Sequence, residues 1–109
     1  MKQGNRKMKT ESAEAHSQTY LLRLFVAGEE PNSKQARENL LKICEEHLKG
    51  KYKIEMVDVL EDFEAALENN ILLTPALIVA SASPPVTIFG NLSDTQKVLV
   101  ALGLTGGES

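Results

Sequence analysis

The hydrophobic pattern is densest between Leu21 and Ser33, where a nearly continuous apolar run is followed by a short acidic turn and a helix start. The run LLRLFV over residues 21–26 is typical of a central strand that is covered on both faces. Gly28 permits the sharp turn that follows, because glycine carries no Cβ. We expect Asn32 to cap the helix, with Gln35 reaching back three residues later. A strand that leads directly into a capped helix is the first half of a β-α-β unit.

The helix after this turn is expected to run to about Lys49 and to end at Gly50. Apolar positions three to four residues apart predict one buried stripe, and this stripe includes Cys44 and His47. Residues 52–60 alternate between apolar and polar positions, which predicts a second strand that begins near a sheet edge and finishes buried. A helix between the two strands predicts that they lie parallel, joined by a right-handed crossover.

The C-terminal half is divided into shorter elements. Residues 61–70 predict a short acidic helix with Leu60, Phe63 and Leu67 facing inward. A third strand is expected over residues 71–80, interrupted by a proline. Residues of this half gain little from local propensity, so two different packings could differ by only a few kcal/mol.

The last elements complete a recognisable order. A short fourth strand over residues 86–89 is expected to run antiparallel to the third, and Ser93 with Gln96 forms a capping-box pattern for a final helix over residues 94–102. The resulting order, β-α-β-α-β-β-α, is that of the thioredoxin-like α/β fold, a four-stranded mixed sheet with helices on both faces. A proline inside a strand indicates an edge, a bulge or a cis bond. In this fold the analogy favours a cis bond at Thr74-Pro75, against a base rate of about 5–6%, and both isomers stay open.

The chain is expected to contain one folded domain, residues 19–104. Residues 1–18 have few apolar positions, so they predict a disordered tail, and residues 105–109 form a short C-terminal tail. The first half of the N-terminal tail is basic and could contact an acidic partner, although a solvated extension is the simpler interpretation.

Composition excludes several classes of function. The net charge of −3 argues against non-specific binding of nucleic acid, and the absence of Trp with only 5% aromatic residues argues against a base-stacking surface. The longest apolar runs are far below the ~20 residues that cross a bilayer, and no secretory signal is recognisable. We therefore expect a cytoplasmic protein.

The pattern contains no convincing catalytic site. The single cysteine, Cys44, lies on the apolar stripe and has no second thiol for a dithiol cycle. The turn where thioredoxin-like enzymes carry their reactive cysteines holds Glu29 and Glu30 instead. His16 and His47 have no ligands at metal-binding spacing. We predict that the protein has no catalytic residues, no cofactor and no metal.

Five segments of the sequence follow one another in a specific order: LRLFVAGEEPNS at residues 22–33, VDVL at 57–60, ILLTPAL at 71–77, SPPV at 83–86, and FGNLSDTQKVLVALGL at 89–104. In register, these segments resemble the KaiB family of circadian clock proteins. Each segment alone is weak, but their combination and order are specific and cover nearly the whole folded part.

The resemblance implies a non-enzymatic regulatory protein that binds KaiC, a hexameric ATPase and autokinase, and modulates its phosphorylation cycle. Cyanobacterial members also recruit KaiA and compete with a sensor histidine kinase. The family implies two folds: a self-associated ground state, dimeric or tetrameric, with a rearranged C-terminal half, and a thioredoxin-like state that binds partners. The implied partner-binding candidates are Gly28, Pro31, Asn32 and Ser33, and the candidates for the turn that reorganises are Gly90 and Asn91.

The sequence also departs from the cyanobacterial pattern. Positions that are basic in those proteins are here Gln35, Glu55, Asn70, Val79 and Thr87. Loss of such charges from a docking surface changes partner choice and association rate more than fold. The alternatives to clock regulation are a role in stress adaptation with other partners, and a thioredoxin-like redox enzyme or thiol carrier, which the single cysteine disfavours.

Overall fold

Seven secondary-structure elements follow one another in the order that the hydrophobic pattern predicts. The structure is a computed structural model, and it describes residues 19–104. The strands are β1 (Tyr20–Val26), β2 (Tyr52–Asp58), β3 (Ala76–Val79) and β4 (Val86–Phe89), and the helices are α1 (Pro31–His47), α2 (Phe63–Glu68) and α3 (Thr95–Ala101). The expectations for residues 1–18 and 105–109 lie outside the described residues.

The four strands form one mixed sheet in the order β2-β1-β3-β4. β1 pairs in parallel with β2, from Tyr20 opposite Tyr52 to Val26 opposite Asp58. β3 runs antiparallel to β1 and to β4. The predicted parallel pair, the antiparallel fourth strand and the central position of the first strand are confirmed.

The sheet is packed on both faces, and β1 contributes to both. Leu22, Leu24 and Val26 point towards α1 and α3, whereas Phe25 points towards α2. The larger cluster also contains Ala36, Leu40, Ile43, Cys44, Leu48, Leu77, Val79, Ile88, Leu92, Val98, Leu99 and Leu102, and the smaller one contains Ala66, Ile71, Ala76 and Ile78. Full burial of one such aliphatic side chain contributes about 1.5–3 kcal/mol, so β1 and α1 supply much of the stabilising contact.

Both predicted helix caps are displaced from their true positions. α1 is capped by Glu30, whose side chain accepts a hydrogen bond from the Ser33 amide, and not by Asn32. Proline lacks an amide hydrogen and is favoured at the first helical position, so the cap has to precede Pro31. α3 is capped by Asp94, which accepts from the Lys97 amide, and not by the predicted Ser93.

The predicted inner face of the short acidic helix is wrong. Leu60, Phe63 and Leu67 are 73%, 65% and 54% exposed, whereas Ala66 is buried against the sheet. This six-residue helix contacts the sheet through the small side chain of Ala66 and therefore lies close to it. The large side chains next to Ala66 then point away from the sheet. His47, expected on the buried stripe of α1, is exposed as well.

Two predicted strands are shorter or more exposed than expected. β2 ends at Asp58 and lies at the sheet edge along its whole length, so none of its seven residues is fully buried. β3 begins at Ala76, after the Thr74-Pro75 peptide bond, which is cis. The cis isomer is the one that the fold analogy favoured.

Candidate partner-binding surface

The turn between β1 and α1 depends on a glycine. Gly28 has a φ of +54°, a left-handed conformation that costs a residue with a Cβ about 1–2 kcal/mol. A Cβ at this position would lie 3.1 Å from Cδ1 of Leu60, so Leu60 covers the turn from the β2–α2 connection. Gly28 therefore sets the shape of the turn and lets another segment approach it closely.

Ser33 holds the turn from inside. Its side chain is fully buried, and its Oγ accepts a hydrogen bond from the Ala27 amide at 3.0 Å. Its own amide donates to Oε1 of Glu30 at 2.9 Å. Of the four candidates that the resemblance implied, Ser33 therefore acts within the turn, whereas Pro31 and Asn32 are exposed to solvent.

Asp58 joins the turn to the next loop and was missed by the sequence analysis. Its Oδ1 accepts hydrogen bonds from the Gly28 amide at 3.1 Å and from the Leu60 amide at 3.0 Å. The carboxyl ends of neighbouring parallel strands meet at one edge of a sheet, so a carboxylate at the end of β2 can reach the end of β1. The parallel pairing inferred from the pattern was the signal that could have identified it.

The Gly90-Asn91 turn lies beside α1. Nδ2 of Asn39 donates to the Asn91 carbonyl at 2.8 Å, and the Asn91 side chain approaches Oδ1 of Asn32 at 3.5 Å. The turn carries backbone strain, because the buried Leu92 has a φ of +64°, a conformation that bulky residues rarely adopt. The structure thus brings the candidates Asn32 and Asn91 together, and Asn39 is a second residue of α1 that holds the turn.

The Pro75 segment lies against the same turn. The Pro75 carbonyl accepts a hydrogen bond from the Gly90 amide at 2.9 Å, and Pro75 itself is buried. The β1–α1 turn, the Gly90-Asn91 turn and the segment before β3 are therefore connected at one end of the molecule through α1 and the sheet.

Reactive groups are not concentrated at this end. Cys44 is fully buried in α1, and burial, with a smaller contribution from the Glu45 carboxylate, raises the pKa of its thiol to about 11. A thiol with this pKa is almost entirely protonated at neutral pH and is a poor nucleophile. Among residues 19–104, no group of three or more His, Cys, Asp or Glu side chains is placed to hold a metal ion. Every helix in this part of the chain is too short or too polar to cross a lipid bilayer.

Comparison with known proteins identifies the family. The family model of the KaiB domain matches residues 23–104, which include every element except the start of β1. The chain belongs to the KaiB family. It is 43% identical over 90 residues to the circadian clock oscillator protein KaiB of Synechococcus elongatus, which covers 83% of this chain and 88% of that protein. It is 44% identical over 86 residues to the KaiB protein of Microcystis aeruginosa, which covers 79% of this chain and 83% of that one.

Solved structures support the fold of this KaiB-family chain. Chloroplastic thioredoxin z matches with a TM-score of 0.66 at 21% identity, over 93% of this chain and 91% of that one. The N-terminal domain of Synechococcus elongatus SasA matches with a TM-score of 0.60 at 23% identity, over 83% of this chain and 89% of that domain. The predicted thioredoxin-like fold is confirmed, and at these identities the likeness concerns the fold alone.

Proposed function

We propose that this protein is a non-enzymatic regulator that binds a hexameric KaiC-like ATPase and modulates its phosphorylation cycle, in circadian timing or in stress adaptation. The observation that carries the proposal is the identity of 43–44% with KaiB clock proteins over about four fifths of the chain. A KaiA-like protein or a sensor histidine kinase is a further candidate partner. The exposed part of the β1–α1 turn, Pro31 and Asn32, is the proposed contact region, and Gly28, Ser33 and Asp58 hold its shape.

The binding experiment uses the full chain and the KaiC-like ATPase of the same organism, with ATP. We expect a stable complex on size-exclusion chromatography and a change in the rate at which the ATPase gains or loses phosphate. Asn32→Lys should weaken the complex at least fivefold. Ser83→Lys is the matched control, because Ser83 is exposed in the β3–β4 loop at the opposite end of the sheet. Absence of a complex under these conditions would contradict the proposal, and equal affinity of both variants would contradict the contact region.

The thiol chemistry of a redox enzyme is the contrasting function. Its reactive cysteine would have to be exposed and ionised, and burial of Cys44 with a pKa of about 11 disfavours both. We expect the protein not to accelerate the reduction of insulin by dithiothreitol, at a concentration where a thioredoxin does. Acceleration that is lost in Cys44→Ala would overturn the proposal of a non-enzymatic role.

We further propose that the protein exchanges between the thioredoxin-like monomer and a self-associated dimer or tetramer with a rearranged C-terminal half. The strained Leu92 supports this, as does the weak polar connection between the Gly90-Asn91 turn and α1: Asn39 donates to the Asn91 carbonyl at 2.8 Å, and the Asn91 side chain approaches Oδ1 of Asn32 only at 3.5 Å. Binding of the ATPase would then be slow, and its apparent affinity reduced by the competent fraction. NMR spectra at low and high concentration test the exchange. One set of peaks, unchanged by dilution and by Asn91→Asp or Gly90→Ala, would contradict it.

A further inference from the structure

Large apolar side chains are exposed on α2 and on the residues that flank it. We call Leu60, Phe63, Leu67, Leu72 and Leu73 the α2 surface, and these five residues are between 54% and 84% exposed. Phe63 and Leu67 are four residues apart on the helix, so their side chains are neighbours. Leu72 and Leu73 follow Ile71, whose amide donates to the Ala66 carbonyl, so they lie near the C-terminal end of α2.

Apart from the approach of Leu60 to the Gly28 turn, packing within residues 19–104 does not account for these side chains. α2 contacts the sheet through Ala66, and its first turn is capped by Asp62, which accepts from the Ala65 amide. At these exposed fractions each large side chain presents on the order of 100 Å², so the five together expose several hundred Å² of apolar surface, the scale of functional apolar patches.

The segment that forms the α2 surface carries charge of one sign. Between Lys53 and Lys97 the chain contains no Lys, Arg or His, whereas it contains seven acidic residues. Four of them, Glu61, Asp62, Glu64 and Glu68, lie in α2 or directly before it. Within residues 19–104 the ion pairs are Arg23–Glu55, Arg37–Glu29 and His47–Glu46, so none of these four carboxylates takes part. A partner that binds this surface needs apolar side chains that pack against it and positive charges that pair with the carboxylates beside it.

We propose that the α2 surface docks a segment of a partner protein that presents Leu- or Phe-sized side chains flanked by Lys or Arg. Apolar anchors supply most of the binding energy of such a contact, and the basic flanks supply selectivity and a faster association. A symmetric contact with a second copy would place acidic rims against each other, which is unfavourable. An anionic lipid surface is disfavoured for the same reason. Docking of such a segment does not require that the partner is an ATPase.

The basic residues of the N-terminal segment are a competing occupant that the test has to separate. Residues 1–10 carry Lys2, Arg6, Lys7 and Lys9. Their only large apolar side chains are methionines, Met1 and Met8, which match a Leu- and Phe-rich surface poorly. A partner with branched or aromatic anchors is therefore the better fit.

Two synthetic peptides test the proposal on the full chain labelled with ¹⁵N. One is an amphipathic helical peptide of about 18 residues with Leu every three to four positions and Lys or Arg on its flanks, and the other has Glu in place of each Lys and Arg. We expect the basic peptide to shift the amide signals of residues 60–73 and to bind at least tenfold more tightly than the acidic one. The difference should shrink when salt is raised, because exposed charges are screened.

Matched substitutions assign the binding to side chains. Leu67→Ala should weaken binding of the basic peptide at least fivefold, whereas Leu41→Ala, on α1 and exposed to a similar degree, should leave it within twofold. Glu68→Gln should weaken it more than Glu38→Gln, which removes an exposed carboxylate from α1. Melting temperatures of all four variants verify that the fold is retained.

Several results would overturn the proposal. Equal affinity of the two peptides would contradict the role of charge. Shifted signals that belong to residues outside 60–73 would contradict the site. Within the set of signals that belongs to the thioredoxin-like form, α2-surface signals whose positions shift with protein concentration would assign the surface to a second copy, whereas a change only in the ratio of two sets of signals would report the exchange proposed above. Signals that move when Lys2, Arg6, Lys7 and Lys9 are all replaced by Gln would assign it to the chain's own N-terminal segment.

Discussion

Replacement of Ser33 by Ala should destabilise the protein far more than its small size suggests. The change removes the Oγ that accepts a hydrogen bond from the Ala27 amide, and this amide lies at the end of β1 where the turn begins. Ser81 provides a matched comparison, because its Oγ accepts a hydrogen bond from the Leu21 amide at 3.1 Å near the other end of β1. The two serines differ chiefly in exposure, since Ser33 is buried and Ser81 is exposed.

The expected magnitudes follow from this difference. A buried amide left without an acceptor costs about 1–3 kcal/mol, and because Ala27 itself is half-buried we expect about 1–2 kcal/mol for Ser33→Ala. Water replaces the lost acceptor at the exposed site, so Ser81→Ala should cost less than about 0.5 kcal/mol. For a domain of this size the first value corresponds to a fall in Tm of roughly 5–10 °C.

Urea unfolding followed by far-ultraviolet circular dichroism measures both variants. The slope of the free energy of unfolding against urea should be the same for wild type and variants, so that only the midpoint moves. Equal losses for Ser33→Ala and Ser81→Ala, or a loss below about 0.5 kcal/mol for Ser33→Ala, would refute the reasoning that burial of the hydrogen bond decides its contribution.

Three further changes test other parts of the structure. Gly28→Ala should cost about 1–2 kcal/mol because of the left-handed φ, and Gly28→Asn should cost less; equal costs in urea unfolding would argue against this geometry. Asp58→Ala should lower the urea midpoint by more than Asp94→Ala, because Asp58 accepts hydrogen bonds from two backbone amides in separate loops and Asp94 accepts one. A larger effect of Asp94→Ala would contradict the bridging role of Asp58. Burial raises the pKa of Cys44 from 9.0 to about 11, so the folded state holds its proton longer than the unfolded state. The stability of wild type relative to Cys44→Ala should therefore be constant below about pH 9 and fall towards pH 11, by on the order of 1–2 kcal/mol. A rise over this pH range would contradict a raised pKa of Cys44 in the folded state.

The sequence by itself determined the order of the elements, the central position of β1 and the burial of Cys44. These features follow from local periodicity. An apolar run at residues 21–26 is stable only when both faces are covered, and a helical stripe at three-to-four-residue spacing is stable only when another element covers it. Five short segments in register also identified the family, because their combination is specific even where each one is weak.

The tertiary structure decided which face of α2 is buried and how the turns are joined. Leu67 and Ala66 are neighbours in sequence, and the closeness of the helix to the sheet selects the smaller side chain for the inside. The Gly28 amide donates a hydrogen bond to Asp58, 30 positions away, and the Asn39 side chain donates one to the Asn91 carbonyl, 52 positions away. Local periodicity does not specify such contacts, because they depend on where the folded sheet and helices place the ends of each element. For Asp58, only the predicted parallel pairing of β1 and β2 indicates which strand end is its neighbour.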